Sequence, residues 1–177
     1  MLLPLTVLDI QHIITQLEVV ERFISEIESE MVVTLGRIPC SARLLSIKGL
    51  GVVSVAGLIG EVGDFSKFRT QSEIIKLAGL DLYEVSSGKR KGQRRITKRG
   101  RSLMRKILYF AAIQMIRQNG IMHEYYESLI GRGMLKMRAL VAVMRKLLGI
   151  IHAILRDDRD YVGEYCAPKR RVIKRAA

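Results

Sequence analysis

The chain has 177 residues, of which 49% are hydrophobic and 6% aromatic, with no Trp and a net charge of +13. This apolar content excludes a disordered polar chain, and the scarcity of aromatic residues disfavours stacking on single-stranded bases. Cys40 and Cys166 lie far apart without His or Cys neighbours at ligand spacing, which disfavours a disulfide framework or zinc site. The start lacks the pattern of a signal peptide, and no run approaches ~18 uncharged apolar residues. We therefore expect a cytoplasmic protein without a membrane partner.

Residues 8–35 are predicted to form one long helix. Its apolar residues alternate spacings of three and four, a heptad pattern that keeps one stripe facing a partner helix: Ile10, Ile13, Leu17, Val20, Ile24, Ile27 and Met31. Gly36 and Pro39 are expected to end the helix. We predict a coiled-coil or helical-hairpin arm over residues 1–38, and a homodimer or higher oligomer formed through the coiled coil. The alternative is an amphipathic helix packed on its own domain.

Charge divides the arm from the rest of the chain. Residues 1–35 hold six acids and one base, a balance of −5, so the remainder carries +18. A body this basic favours a polyanionic partner, with nucleic acid as the first candidate.

Residues 43–60 resemble a helix-hairpin-helix motif with a Gly49-Leu50-Gly51 turn. Two glycines allow close approach of the backbone to a phosphate, and the next helix offers its unpaired N–H groups to the anion. Lys48, Gly49 and Gly51 are therefore predicted to bind phosphate. A purely structural turn is the alternative.

Packing explains most of residues 61–80. Phe65 and Phe68 are expected to anchor the turn at Gly63-Asp64 in the core. Ser72 is a candidate cap for a short helix that Gly79 closes.

A dense basic segment runs from Lys89 to Lys106, with ten Lys or Arg and no acid. The charge alone is also compatible with a solvated disordered loop, but glycines at 88, 92 and 100 favour a structured phosphate-binding loop. The predicted phosphate contacts in it are Lys89, Arg90, Lys91, Arg94, Arg95, Lys98, Arg99, Arg101 and Arg105.

The remaining residues read as helices. One is predicted from Leu103 to Arg117, with its apolar face at Leu103, Ile107, Phe110, Ala111, Gln114 and Met115. A short helix over 123–131 and a long one from Leu135 to Leu155 follow. The long helix carries an apolar stripe at Ala139, Val143, Leu147, Ile150 and Ile154. Only stretches such as Leu80 to Val85 are candidates for strands, so the predicted fold is mainly α, with a helical domain at 39–165 and a basic tail at 166–177.

Several ordered motifs carry a resemblance to a known family. They are Ile47-Lys48-Gly49-Leu50-Gly51, Gly63-Asp64-Phe65-Ser66-Lys67-Phe68, Ala78-Gly79-Leu80, Ser87-Gly88, Ile96-Thr97-Lys98-Arg99-Gly100 with Arg105 five residues on, Gly133, Lys136, and Ala142-Val143-Met144-Arg145-Lys146-Leu147. From Leu44 to about Val162 the chain resembles the C-terminal domain of the IS one-ten family of insertion-sequence transposases, also called the one-sixteen/nine-oh-two type.

The resemblance implies that Ser87 is the nucleophile that forms a covalent link to a DNA phosphate. On its own, Ser86-Ser87-Gly88 is more typical of a turn. The resemblance also implies DNA as substrate, a structured bridge RNA as partner and dimers that assemble into tetramers.

The Mg²⁺ of the family is implied only for an N-terminal RNase-H-like domain with an Asp-Glu-Asp-Asp set. This sequence starts at the coiled coil, and Asp157, Asp158 and Asp160 read as a helix-end turn, so we predict no metal site in it. We expect a truncated serine-dependent transposase that holds half of a composite active site. The alternatives are a non-catalytic nucleic-acid-binding module or transposase remnant, and a helical assembly protein, which would leave the basic body unexplained.

Overall fold

The computed structural model describes residues 3–84 and 94–162, without the side chains of residues 3–5 and 94. Within these ranges the chain forms α1 (Leu3–Gly36), α2 (Ser41–Leu45), α3 (Val52–Val62), a 3-10 turn (Phe65–Lys67), α4 (Gln71–Leu77), β1 (Leu82–Glu84), β2 (Arg94–Ile96), α5 (Ser102–Met115), α6 (His123–Gly131) and α7 (Lys136–Asp157). The prediction of a mainly α fold with a long N-terminal helix is confirmed. The domain boundaries and the basic tail stay predictions.

Helix α1 begins at Leu3, five residues before the predicted start, and ends at Gly36 as expected. Its last turn packs on α2 and α3 through Leu35, which is 3% exposed. The heptad stripe behaves differently, because six of its seven residues, from Ile10 to Ile27, are 50–57% exposed. Within the described chain the arm therefore has an apolar seam that its own body does not cover.

Helix α7 is the centre of the core. It contacts α2, α4, α5, α6 and the 3-10 turn, and every residue of its predicted stripe is buried. The prediction of this helix and its stripe is confirmed. Asp158 adopts a left-handed conformation that ends the helix, with φ 55°.

The predicted apolar face of α5 is confirmed in part, because Ala111 and Met115 are buried and Ile107 packs against the core. Leu103 and Phe110 are more than half exposed, whereas Met104, Leu108 and Ala112 are buried. The helix carries two apolar series with the same spacing, and packing on α3 and α7 selects the second. Since neighbouring positions lie about 100° apart around a helix, periodicity alone could not choose between them.

The turn after α3 follows the prediction in part. Phe65 is buried and Phe68 packs against the core. The assignment of Ser72 as a helix cap is wrong, because α4 begins at Gln71 with Thr70 at the cap position. The Glu73 carboxylate accepts hydrogen bonds from Arg69 N at 2.9 Å and Thr70 Oγ1 at 3.1 Å, which ties the first turn of α4 to the two residues before it.

Strands β1 and β2 form an antiparallel hairpin with Leu82 opposite Ile96, Tyr83 opposite Arg95 and Glu84 opposite Arg94. Extended chain was expected at Leu80 to Val85, but residues 94–96 were predicted as loop, and they form the second strand. None of the helices in residues 3–84 and 94–162 is long and apolar enough to cross a membrane. The cytoplasmic location stays a prediction.

Candidate nucleic-acid interface

The hairpin is rooted in a pair of antiparallel segments that extend it toward the core. Thr97 N donates to Asp81 O at 2.9 Å, Lys98 N to Gly79 O at 3.0 Å, and Arg101 N to Leu77 O at 2.8 Å. We call residues 77–81 and 97–101 the hairpin base. The base connects α4 on one side to α5 on the other.

Two glycines let the segments of the base cross. Gly79 has φ +67°, which favours glycine, and a Cβ there would lie 2.6 Å from Gly100 N. A Cβ on Gly100 would collide with Gly79 N and Leu77 O. From the sequence, Gly79 was expected only to close a helix, and the signal for the crossing is the pairing of Gly79 with Gly100 across the hairpin.

Exposed cations follow one another along the second strand and the base. Arg95, Lys98 and Arg99 are exposed, and Lys98 has a φ of +54°. The Arg101 guanidinium lies 3.9 Å from the Glu61 carboxylate, and about half of the Arg101 side chain is exposed. An ion pair this open adds little to stability, so Arg101 stays accessible to an anion. The segment from 95 to 101 thus presents a concentrated positive charge to solvent.

Arg105 lies differently from these cations. Its side chain is partly buried, and Nη1 donates to Gly100 O at 2.8 Å and to Ala78 O at 3.0 Å. Both acceptors belong to the hairpin base. The predicted contact of Arg105 with phosphate stays a prediction, but this nitrogen already has two partners within the chain.

The Gly49-Leu50-Gly51 turn does lie between two helices, although α2 has only five residues. Gly49 has φ +104°, and a Cβ there would lie 2.9 Å from Met115 Cγ, so packing by itself explains this glycine. Gly51 is exposed, has open space around it and precedes α3, and Lys48 is exposed next to the turn. Phosphate binding by Lys48, Gly49 and Gly51 stays a prediction.

The glycine turn lies far from the point where the basic segment enters α5. Gly49 touches Met115, the last residue of α5, whereas Arg101 precedes its first residue. Helix α5 has 14 residues, so the two elements lie about 20 Å apart along it. The structure therefore separates a positive segment at one end of α5 from a glycine turn at the other.

Four predicted site residues lie outside the described residues: Ser87, Lys89, Arg90 and Lys91. They belong to residues 85–93, which join β1 to β2 along the chain. The backbone of Arg94 is described as the first residue of β2, but its side chain is not.

The acidic residues were tested for the Mg²⁺ that the resemblance implies. In residues 3–84 and 94–162, no three His, Cys, Asp or Glu side chains are placed to hold a metal ion. Asp158 pairs with Arg43 and Asp157 with Arg156. The hydrogen bond from Arg156 lowers the pKa of the Asp157 carboxyl. These residues do not fit Mg²⁺, and the described site supports no step through it.

Comparison with known proteins gives the family. Residues 41–127 match the model of the Transposase IS116/IS110/IS902 family. The 44.8 kDa protein of insertion element IS116 from Streptomyces clavuligerus is 30% identical over 114 residues, 64% of this chain and 29% of the relative. The 43.6 kDa protein of IS110 from Streptomyces coelicolor is 27% identical over 135 residues, 76% of this chain and 33% of the relative.

A further relative is the pilin gene-inverting protein of Moraxella bovis, which is 28% identical over 123 residues, 68% of this chain and 38% of the relative. This chain therefore spans only about a third of the length of the curated relatives it matches. The match runs from α2 into the first half of α6 and includes both the hairpin and the glycine turn. Residues 41–127 belong to the IS116/IS110/IS902 family of transposases.

Proposed function

We propose that this chain binds DNA and takes part in DNA transposition or recombination, with Ser87 as the nucleophile. One observation carries the proposal: in a domain of a transposase family, the exposed cations Arg95, Lys98 and Arg99 closely follow the segment that contains Ser87. The name of the pilin gene-inverting relative points to the same class of reaction, rearrangement of DNA.

The proposed step is a transesterification. The Ser87 hydroxyl loses its proton, its oxygen forms a bond to the phosphorus, and one deoxyribose oxygen of the diester leaves and takes up a proton. No bond to water forms, so the energy of the phosphodiester is kept in the serine–phosphate link. Positive side chains beside the phosphate would stabilise the charge that develops on its oxygens.

Arg95, Lys98, Arg99 and Arg101 supply cations but no general base. Guanidinium and ammonium groups are hydrogen-bond donors without an acceptor atom. Their role in the proposal is to bind phosphate and stabilise charge, and it ignores base identity. The proton acceptor for Ser87 has to come from another group.

The test is a covalent adduct between labelled duplex DNA and the protein, measured on a denaturing gel. The reaction contains Mg²⁺ and a carboxylate-containing domain of the family, supplied separately because the resemblance implies both. We expect adducts with the wild-type chain and with Ser86→Ala, the matched neighbour, and none with Ser87→Ala. Adducts that survive Ser87→Ala would overturn the assignment of the nucleophile.

A non-catalytic nucleic-acid-binding module is the second candidate. The open start of α3 with Gly51 and Lys48 favours it, because this element lies about 20 Å from the hairpin end of α5 and offers a separate phosphate contact. Steeply salt-dependent DNA binding without adducts from wild type or either serine variant would favour this candidate. Absence of salt dependence would contradict both.

A structured guide RNA is the further partner that the resemblance implies. The exposed cations contact phosphates, which DNA and RNA share, so we propose that both compete for the same surface. Titration of a folded RNA against labelled duplex DNA should displace the DNA, and simultaneous binding of both without competition would contradict a shared surface.

Self-association through α1 is the last part of the proposal. Its exposed heptad stripe, with Ile10 and Ile24 at the first position of the heptad and Ile13 and Ile27 at the fourth, presents the seam of a coiled coil. In a parallel, in-register pair, Glu21 and Glu28 face Gln16 and Phe23 of the second copy, so no acid meets an acid. We therefore propose a second copy of this chain as the occupant of the seam, aligned in parallel.

Sedimentation velocity of the wild-type chain tests this association without DNA. We expect a dimer or larger species that dissociates on dilution. A monomer at tens of micromolar would overturn it.

A further inference from the structure

The hairpin has little of its own to fix its direction. Each strand has three residues, and a two-stranded hairpin of this size is marginal in water. All three residues of β1 are exposed, with Leu82 and Tyr83 more than 40% open to solvent, whereas Ile96 of β2, next to the base, packs against the core. The orientation of the hairpin is therefore set at its base and at the adjoining Ile96.

The two segments of the base cross in close contact, and each is anchored in the core by its own buried residues. Three main-chain hydrogen bonds join its two segments, and Gly79 and Gly100 pass each other in direct backbone contact. Leu80, next to Gly79, is fully buried and holds one segment. The other segment leads into α5, whose Met104 and Leu108 are fully buried.

Arg105 connects both segments of the base to α5. It lies in the first turns of α5, between Met104 and the rest of a helix that is fixed in the core. Its Nη1 donates to Ala78 O on one segment of the base and to Gly100 O on the other. A Cβ on Gly79 would lie 2.7 Å from the same nitrogen, so the guanidinium rests directly on the glycine crossing. Hydrogen bonds from a charged donor are about twice as strong as neutral ones.

We infer that Arg105 is a positioning residue that locks the hairpin base to α5 and so fixes the orientation of β1 and β2, the strands that flank the segment with Ser87 in the sequence. It acts through the base and does not contact DNA. The consequence for catalysis rests on the proposed function, whereas the lock itself does not. Arg99, two residues before the end of the base, has the same charge but is exposed, and it is the natural control.

The two roles for Arg105 make opposite predictions for Arg105→Gln. A phosphate contact contributes about one unit to the slope of log affinity against log salt concentration, so its loss lowers that slope by about 1. We expect an unchanged slope and DNA affinity for Arg105→Gln but a lower rate of adduct formation. Arg99→Gln should lower the slope by about 1 and leave the hairpin base intact.

Hydrogen exchange of the base measures the lock without DNA. In Arg105→Gln we expect the amides of Thr97, Lys98 and Arg101 to exchange about tenfold faster or more, with unchanged exchange in α7. Arg99→Gln should leave these three amides as protected as in the wild type. A lower salt slope with unchanged exchange in Arg105→Gln would overturn the inference.

Arg105→Lys covers the case in which Arg105→Gln does not fold. This variant keeps the charge but has one nitrogen on a shorter side chain, so we expect partial protection of the same three amides and an unchanged salt slope. Full protection in Arg105→Lys would contradict the need for a guanidinium that reaches both carbonyls. If the wild type binds no DNA, the proposed function fails, and exchange still decides the role of Arg105.

Discussion

Helices α1 and α7 carry similar apolar patterns but differ in the burial of their apolar residues. Each has a regular stripe with spacings of three and four along one face. In α7 the stripe from Ala139 to Ile154 is buried, with no residue more than 7% exposed. In α1 the six stripe residues from Ile10 to Ile27 are at least half exposed. The same signal in the sequence thus describes a helix inside a core and a helix whose stripe is not covered by the described residues of its own chain.

Periodicity in the sequence therefore determines which face of a helix is apolar, but it does not determine what covers that face. Charge adds a second distinction, since the acidic arm has a balance of −5 and the rest of the chain +18. Side-chain hydrogen bonds follow the same division. Ser25 and Ser29 in α1 donate only to carbonyls one turn away, whereas His152 in α7 lies 3.1 Å from Phe68 O, 84 residues away in the chain.

The same substitution, Leu to Ala, should change the free energy of unfolding much more in the stripe of α7 than in the stripe of α1. Leu147→Ala in α7 removes a fully buried side chain and should lower the free energy of unfolding by about 3 kcal/mol. Leu17→Ala in α1 removes the same atoms from a half-exposed site and should change the unfolding of the body by less than about 0.5 kcal/mol. Urea unfolding at low micromolar protein measures both. A similar loss in both variants would mean that the arm packs on its own body.

The second prediction concerns what covers the apolar seam of α1, and it is measured as a change in the strength of self-association. Leu17→Asp places a charge on the seam, and Thr15→Asp places the same charge on an exposed position away from it. If a second copy occupies the seam, Leu17→Asp should weaken association at least about 100-fold, or ~2.8 kcal/mol, and Thr15→Asp should leave it nearly unchanged. Sedimentation equilibrium over a range of concentrations provides the measurement. If the two variants weakened association equally, the effect would come from net charge and not from the seam.

The sequence predicted most helices because their signals are local. Gly36 and Gly79 end helices where expected, and the buried stripe of α7 follows from its period. The face of α5 was predicted only in part because Leu103 and Met104 begin two series with the same spacing. Ser72 does not cap α4, because the helix begins one residue earlier, at Gln71, with Thr70 at the cap position.

Less of the candidate site than of the fold could be predicted from the sequence. A count of charges treats Arg99 and Arg105 alike, although one is exposed and the other donates to two main-chain carbonyls. That difference depends on Ala78 and Gly100, which are 22 residues apart in sequence and meet only because the hairpin returns the chain to α4. The roles of Ser87 and of the residues from Lys89 to Lys91 stay predictions, since these residues lie outside the described ranges.

A smaller effect tests the junction between arm and body. Ser41 is buried, and its hydroxyl lies 2.6 Å from Leu35 O at the end of α1 and 2.7 Å from Ile38 O. Ser41→Ala should cost about 1 kcal/mol of stability, because both carbonyls keep a main-chain partner. Ser29→Ala in the arm removes an exposed hydrogen bond within the helix and should be neutral or slightly stabilising. Thermal unfolding of the two variants compares them, and a larger loss in Ser29→Ala would contradict the division between arm and body.

The smallest effect depends on pH and belongs to the body alone. The Asp64 carboxylate accepts hydrogen bonds from Ser66 Oγ at 2.7 Å and Ser66 N at 2.9 Å, and these bonds lower the pKa of Asp64 below its ordinary 3.8. A lowered pKa in the folded state means that the stabilisation is complete above pH 3.8 and is lost as the pH falls through the folded value. Asp64→Ala should therefore lower Tm slightly at pH 7, and the difference from the wild type should shrink in strong acid. A difference in Tm that stays constant down to about pH 2, well below the ordinary pKa of an aspartate, would assign the effect of Asp64 to packing around Phe65 and not to its charge.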